Sequence, residues 1–240
     1  MTAAASRWPW RGSSARRRGI TIRTATGEKG GDALGARQSG AGTQLDRRRE
    51  LLDRLADVIS ESGMEGVSIR TLASRAHVSI GTVQYYFSTK SQLLQSVWEH
   101  VRDEYSERLF SSGIADEPPE RKLEHLIRLL VPPGSDDRLT RVWLALVYSA
   151  THDQKIAALH RAQWQRMEEL LTEVLAAANP VRAAEAGEAA AEFLALMDGF
   201  AIAVVTEPER MPPARAHRIA RAWTAAWLND TQNFGPVATA

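Results

Sequence analysis

The sequence contains no cysteine. Disulfides, thiolate metal sites, cysteine nucleophiles and thiol redox sensing are thereby excluded, and the absence agrees with a cytoplasmic protein. Long uninterrupted apolar runs are also missing. "FLALM" and "FAIAVV" are separated by Asp198 and Gly199, so no membrane span is expected. No segment alternates with period two for long enough to suggest a sheet. There is no phosphate-binding glycine loop, no nucleophile elbow and no helix with metal-spaced His and Glu. His152, Asp153 and His160 match no strong metal spacing. The expectation is a protein that is not an enzyme and carries no cofactor or metal.

What the 240 residues do contain is helical periodicity and an uneven charge. Residues 1–42 hold eight basic and two acidic residues, a net of +6, and the remainder holds 22 basic and 27 acidic, a net of −5. A basic tail on a mildly acidic body suggests an anionic partner. The tail is rich in Gly, Ser and Ala and has no period, so it is expected to be a disordered, solvated extension. Its Arg-rich, acid-poor start also has the composition of a transit peptide.

Order is expected from "TQLD", with Thr43 and Asp46 as a capping box. Leu51, Leu52, Leu55, Val58 and Ile59 mark one face of a first helix, closed by Gly63. Ser68 caps a short second helix with Ile69, Leu72, Ala73 and Ala76 inward. Ser79 caps a third, with Val83 and Phe87 inward. A long fourth helix follows from Ser88 or Thr89 to Leu109. Five further helical segments follow after Gly113, bounded by proline pairs, Asn179-Pro180 and Pro212-Pro213. The chain reads as all-α, with about nine helices by this pattern.

The first three helices have the dimensions of a helix-turn-helix, with "HVSI" as the link. A reading helix must be short enough for the major groove and must show small or polar residues outward. With Val83 and Phe87 inward, Ile80, Gly81, Thr82, Gln84 and Tyr85 face out. Gly81 permits close backbone approach. Thr82 and Gln84 offer hydrogen bonds to base edges or phosphates, and Ile80 suits a thymine methyl.

The stretch "VSIRTLASRAHVSIGTVQYYFSTKSQLL" resembles the DNA-binding region of the TetR family of bacterial repressors. Ser68, Leu72, Ala73, Ala76, Val78, Ser79, Gly81, Val83, Tyr86, Phe87, Lys90, Leu93 and Leu94 match the family pattern in type and spacing. The resemblance implies roles by position. Arg70 lies where some members read guanine, Ser68 and Tyr86 where phosphates are met, and Lys90 where a lysine faces the DNA backbone. Thr71 and Ser79 complete the expected DNA-facing set. Two residues depart from the pattern. His77 stands at the usual turn glycine, and histidine is among the less costly residues there if φ is positive. Gln84 replaces the usual first tyrosine of the third helix, which shifts that position toward amide readout, for example of adenine.

The resemblance further implies a C-terminal helical domain that binds a ligand and dimerises. The expected boundaries are a tail over 1–42, the DNA-binding domain over 43–106 and the sensing and dimerisation domain over 107–240. The C-terminal segments look most like the branch that includes the choline-responsive repressor of betaine synthesis. Expected pocket residues are Trp143, Val147, Tyr148, His152, Trp164, Met167, Phe193, Met197 and Phe200, apolar or aromatic side chains with polar neighbours. The aromatic ones suit a cage for a cation. Asp198, alone in an apolar run, has three readings: a ligand contact, a cap beside Gly199, or a pair across a dimer. A face of Leu194, Met197, Ala201 and Val204 with Ile219, Trp223 and Trp227 is the expected dimer contact in a four-helix bundle. The function expected is a ligand-responsive homodimeric repressor whose partners are double-stranded operator DNA, a second copy of itself and a small-molecule effector. The alternative is a ligand-independent DNA-binding regulator with a vestigial pocket.

Overall fold

The computed structural model describes residues 32–111 and 114–229. Among these, all regular structure is helical: α1 (Asp32–Ser62), α2 (Ile69–Arg75), α3 (Ile80–Tyr86), α4 (Lys90–Ser111), α5 (Pro119–Leu130), α6 (Arg138–Ala150), α7 (Gln154–Ala178), α8 (Ala186–Thr206) and α9 (Pro213–Asn229), with short 3-10 turns between some of them. The expected basic tail lies, over residues 1–31, outside the described residues. The first helix begins earlier than its sequence signals suggest. It runs unbroken from Asp32, so Thr43 and Asp46 lie inside it rather than at a cap. Ala33, Leu34, Ala36, Arg37 and Gln38 are good helix formers, but Gly35, Gly40 and Gly42 are not, so helix propensity does not by itself explain the continuation.

The local signals elsewhere hold. Ser68 Oγ accepts from Thr71 N at 2.9 Å, and Ser79 Oγ accepts from Thr82 N at 3.0 Å. Each cap satisfies an orphan donor of a seven-residue helix. Gly63 takes φ 64° beyond α1, and His77 takes φ 52° in the turn between α2 and α3. Asp137 and Asp153 cap α6 and α7 in the same way.

Two hydrophobic cores result. One joins α1–α4 through Leu51, Leu55, Leu72, Val83, Phe87, Leu93 and Val97, and it also takes in Leu139, Val142 and Leu146 of α6 and Ile156 of α7. The other joins the end of α4 to α5, α7, α8 and α9 through Leu109, Leu126, Leu171, Phe193, Val204 and Trp227. Helix α4 contributes to both. Residues Pro180–Thr206 do have the length and hydropathy of a membrane span, contrary to expectation, and half of the most apolar window is buried inside the chain. That burial accounts for the apolarity: α8 packs on α5, α6, α7 and α9.

A polar network ties α1 to α4 and α6. Arg138 Nη2 donates to both Glu104 carboxylate oxygens at 2.9 and 3.0 Å, and its Nη1 reaches Asp57 Oδ1 at 3.2 Å and the Asp53 carbonyl at 3.3 Å. The buried His100 sits between Asp53 Oδ1 at 2.8 Å and Glu104 Oε1 at 3.0 Å. Burial works against the charged imidazole, but hydrogen bonds to Glu104 and Asp53 outweigh it and hold His100 above its ordinary value. Burial likewise opposes the Glu104 carboxylate, and His100 and Arg138 together bring it below the usual range. The ligating atoms of Asp53, His100 and Glu104 lie within 4.8 Å of one another. Arg138 already neutralises Glu104 at this point, so the cluster is an ion-pair network complete in itself.

Candidate nucleic-acid interface and ligand cavity

Helices α2 and α3 bring the sequence-predicted DNA residues to one exposed region. Val83 and Phe87 are fully buried, and Arg48 lies 5.5 Å over the Phe87 ring. This fixes the rotation of α3 and turns Ile80, Gly81, Gln84 and Tyr85 to solvent, with Thr82 and Tyr86 half-buried. Ile80 is 44% exposed and Tyr85 71% exposed, although both are large and apolar. Exposed apolar bulk beside polar groups marks a contact surface.

The details favour contact with an anionic partner. Arg70 and Lys90 are exposed and have no acidic partner among the described residues, whereas Arg75 on the same short helix is paired with Glu61. Lys90 also opens α4, where unpaired backbone N–H groups attract phosphate. Ser68 and Ser79 are occupied as caps, and their hydroxyls also bond Thr71 Oγ1 at 2.7 Å and Thr82 Oγ1 at 2.9 Å. Tyr85 and Tyr86 meet edge to face, centroids 5.1 Å apart. Gln44 Nε2 donates to the Tyr85 hydroxyl at 2.7 Å, a contact that local sequence spacing gave no reason to expect. A Cβ added at Gly81 would meet only Ser79 Oγ, at 3.7 Å. Nothing among the described residues therefore requires glycine there.

A cavity, partly open to solvent, lies among α4, α6, α7 and α8. Four of the nine expected pocket residues line it: Trp143, Trp164, Met167 and Met197. Phe193 and Phe200 are buried in the neighbouring core instead. Tyr148 and His152 meet edge to face at the exposed end of α6, and Val147 also lies off the cavity wall. The missed lining comes mainly from α4, as Trp98, Val101, Arg102 and Tyr105, with Leu130 of α5, Thr140 and Leu146 of α6 and Gln163 of α7. Gln163 carried a signal. It is a polar residue one turn before Met167 on the buried face of α7.

Asp198 lines this cavity and accepts from Trp164 Nε1 at 3.0 Å. Of its three readings, the structure supports a role at the cavity wall. Burial pushes its carboxyl up to about 6, against the opposing Trp164 hydrogen bond. The Trp143 and Trp164 rings stack with centroids 5.5 Å apart, and His160 meets both Trp164 and Trp98. Trp143 Nε1 and Gln163 Nε2 are buried donors without an acceptor. Each such group costs about 1–3 kcal/mol when left unpaired.

The expected dimer face needs correction. Leu194, Met197, Ala201, Val204 and Trp227 are buried within the chain. They belong to the core or the cavity wall and are not available to a partner. Trp223 is half-buried and donates to Glu192 at 2.9 Å. Only Ile219 of that set is exposed. The outward stripe of α8 is Ala195, Gly199 and Ile202, and that of α9 is Ile219, Ala222 and Ala226.

Comparison with known proteins agrees with this geometry. Residues 51–97 match the family model described as bacterial regulatory proteins, tetR family, and residues 119–229 match that of the BetI-type transcriptional repressor, C-terminal. The HTH-type transcriptional regulator BetI of Burkholderia cenocepacia (strain HI2424) is 32% identical over 160 residues, covering 64% of this chain and 79% of the relative. The chain belongs to the TetR family. Another TetR-like relative, the HTH-type transcriptional regulator PksA of Bacillus subtilis (strain 168), is 28% identical over 175 residues, covering 72% of this chain and 85% of PksA. Among solved structures, a transcriptional regulator from Rhodococcus sp. Rha1 matches with a TM-score of 0.68 and 30% identity, covering 75% of this chain and 95% of that one. A regulator from Saccharomonospora viridis, solved in complex with choline, shares the TetR fold with a TM-score of 0.67 and 21% identity over 75% of this chain and 96% of that one. This TetR-family chain is thus a DNA-binding transcriptional regulator of an all-α class, and its relatives are regulators rather than enzymes.

Proposed function

We infer that this regulator binds a palindromic operator as a homodimer and releases it when a small molecule fills the cavity of α4, α6, α7 and α8. The observation that carries this reading is the double role of α4. Its first residue, Lys90, belongs to the DNA-facing set, and its later residues Trp98, Val101 and Tyr105 line the cavity. A ligand that fits one position of α4 better than another shifts the population of reading-head positions. In a dimer that shift alters the separation of the two α3 helices, which must match half-sites about 34–36 Å apart or somewhat more.

Arg70 is assigned to a guanine through its bidentate fork, and Gln84 to a base edge, with adenine the natural amide partner. Thr82 and Tyr85 flank them, with Ile80 at a thymine methyl. Ser68, Thr71, Ser79, Tyr86 and Lys90 serve the phosphates. The dimer contact is assigned to the outward stripes of α8 and α9, where Gly199 has open space around its missing Cβ. Action on DNA supports a cytoplasmic site of work.

The test is to select bound duplexes from a random pool and then challenge the complex with a metabolite library. Expected are a palindromic site, a binding loss of about ten- to a hundredfold in Arg70→Ala, and at least one compound that both raises the melting temperature and frees the DNA. Palindromic binding with no releasing compound would instead support the ligand-independent reading.

A further inference from the structure

The cavity wall specifies more than size. Its one carboxylate, Asp198, uses Oδ2 to accept from Trp164 Nε1, and among the described residues no basic side chain pairs with it. Its second oxygen accepts from no side chain or backbone group among the described residues. Nearby in the same wall, Trp143 Nε1 and Gln163 Nε2 are donors with no acceptor. Gln163 is only 5% exposed, so bulk water does not serve it. Arg102 also lines the wall but is paired with Asp103 at 2.8 Å. Apart from it and Thr140, the rest is aromatic or aliphatic, including Trp98, Tyr105 and Met167. A low-dielectric pocket with one ionisable acid attracts a cation, and indole faces strengthen that attraction.

We propose that the cavity binds an organic ammonium ion that retains an N–H for Asp198 and presents an acceptor oxygen to Gln163 and Trp143 from an apolar frame. The N–H requirement follows from the unshared carboxylate oxygen. A quaternary ammonium has no hydrogen to give and would displace water from that oxygen without replacing its hydrogen bond. The acceptor requirement follows from the two orphan donors. An anion is disfavoured because it would meet the Asp198 carboxylate, which no basic side chain among the described residues pairs. The inference rests on the reading of this cavity as the effector site, and its outcome is separable from that reading.

The experiment uses the full chain and a matched set of probes: tyramine, its N,N,N-trimethyl derivative, phenethylamine and 3-(4-hydroxyphenyl)propanoate. Calorimetry and melting temperature report binding, and release of the selected operator is scored separately. Tyramine is expected to bind at least tenfold more tightly than each of the other three. Asp198→Asn is expected to erase its advantage over the propanoate. Gln163→Leu and Trp143→Phe are expected to narrow its advantage over phenethylamine, and Gln163→Leu is expected to melt no lower than wild type without ligand, since it removes an unpaired buried donor. The proposal is overturned if the trimethyl derivative or the propanoate binds as tightly as tyramine, or if none of the four binds. Operator release by an anionic or neutral compound would sink the proposal and leave the ligand switch standing. Tyramine binding without release would do the reverse.

Discussion

The two carboxylate oxygens of Glu104, on α4, lie 2.9 and 3.0 Å from one nitrogen of Arg138, on α6. The contact joins the helix that carries the reading head to a helix that walls the cavity. Arg138→Met keeps the aliphatic stem and removes the charge. Glu104, Asp57 and Asp53 then face one another without it. A loss of about 1–3 kcal/mol in urea-monitored unfolding is expected, less than for a fully buried pair because Arg138 is partly solvated. An unchanged midpoint would mean that the network contributes nothing to stability.

The same network sets a pH dependence. His100 is held above its ordinary 6.5 in the folded chain. Its contribution is therefore complete below pH 6.5 and is lost as pH rises through the raised value. Glu104 is held below its ordinary 4.5, so its contribution is present above that pH and fades as pH falls through the lowered value. Melting temperature measured from pH 6 to 9 should fall more in wild type than in His100→Gln. Parallel curves would remove His100 from the account.

Gly81 separates stability from recognition. It lies inside α3 at an ordinary negative φ, and a Cβ there meets no obstacle. Gly81→Ala should raise stability by about 0.5–1 kcal/mol through helix propensity and the unfolded chain. Operator affinity should nevertheless fall, because in the proposed binding mode the methyl stands where DNA approaches. Chemical denaturation and a titration of labelled operator measure the two effects. A variant that gains both would show that the groove does not come this close.

His77 tests the turn. At φ 52° any non-glycine residue is strained, and a β-branched one most of all. His77→Gly should be neutral or stabilising by up to about 1 kcal/mol. His77→Val should destabilise by about 1–3 kcal/mol. Equal stability of the two variants would rule out strain at this residue.

The outward stripes of α8 and α9 predict assembly. Ile202 is 49% exposed and Ile219 37% exposed, although both are apolar. Ile202→Asp with Ile219→Asp should give folded monomers in sedimentation, with operator affinity reduced at least a hundredfold by loss of the second half-site. Tyr148→Asp, at a still more exposed aromatic site on α6, should sediment like wild type. A doubly substituted chain that stays dimeric would move the interface elsewhere.

The reading head was legible because its signals are local. Two serine caps, a four-residue link and inward Val83 and Phe87 lie within one short stretch, and the positive φ of His77 follows from its place in the turn. The C-terminal body was less legible because its helices are apolar on more than one side. In α8 the row of Leu194, Met197, Ala201 and Val204 and the row of Ala195, Gly199 and Ile202 are both plausible seams by periodicity. Only the packing of α5, α6, α7 and α9 decides which row is inside. The cavity wall was half-read for a related reason. Trp98, Val101 and Tyr105 repeat at the spacing of an ordinary core face, and no local pattern reveals that the space opposite them is empty.

The shared core has a bearing on how such regulators diversify. Leu139, Val142, Leu146 and Ile156 are distant in sequence from α1–α4 yet pack in the same cluster. A chimera that swaps only the first four helices would import a surface shaped for another protein's α6. Successful recombination between relatives should therefore carry α6 along with the head, so that specificity for an operator and part of the sensing wall are inherited together.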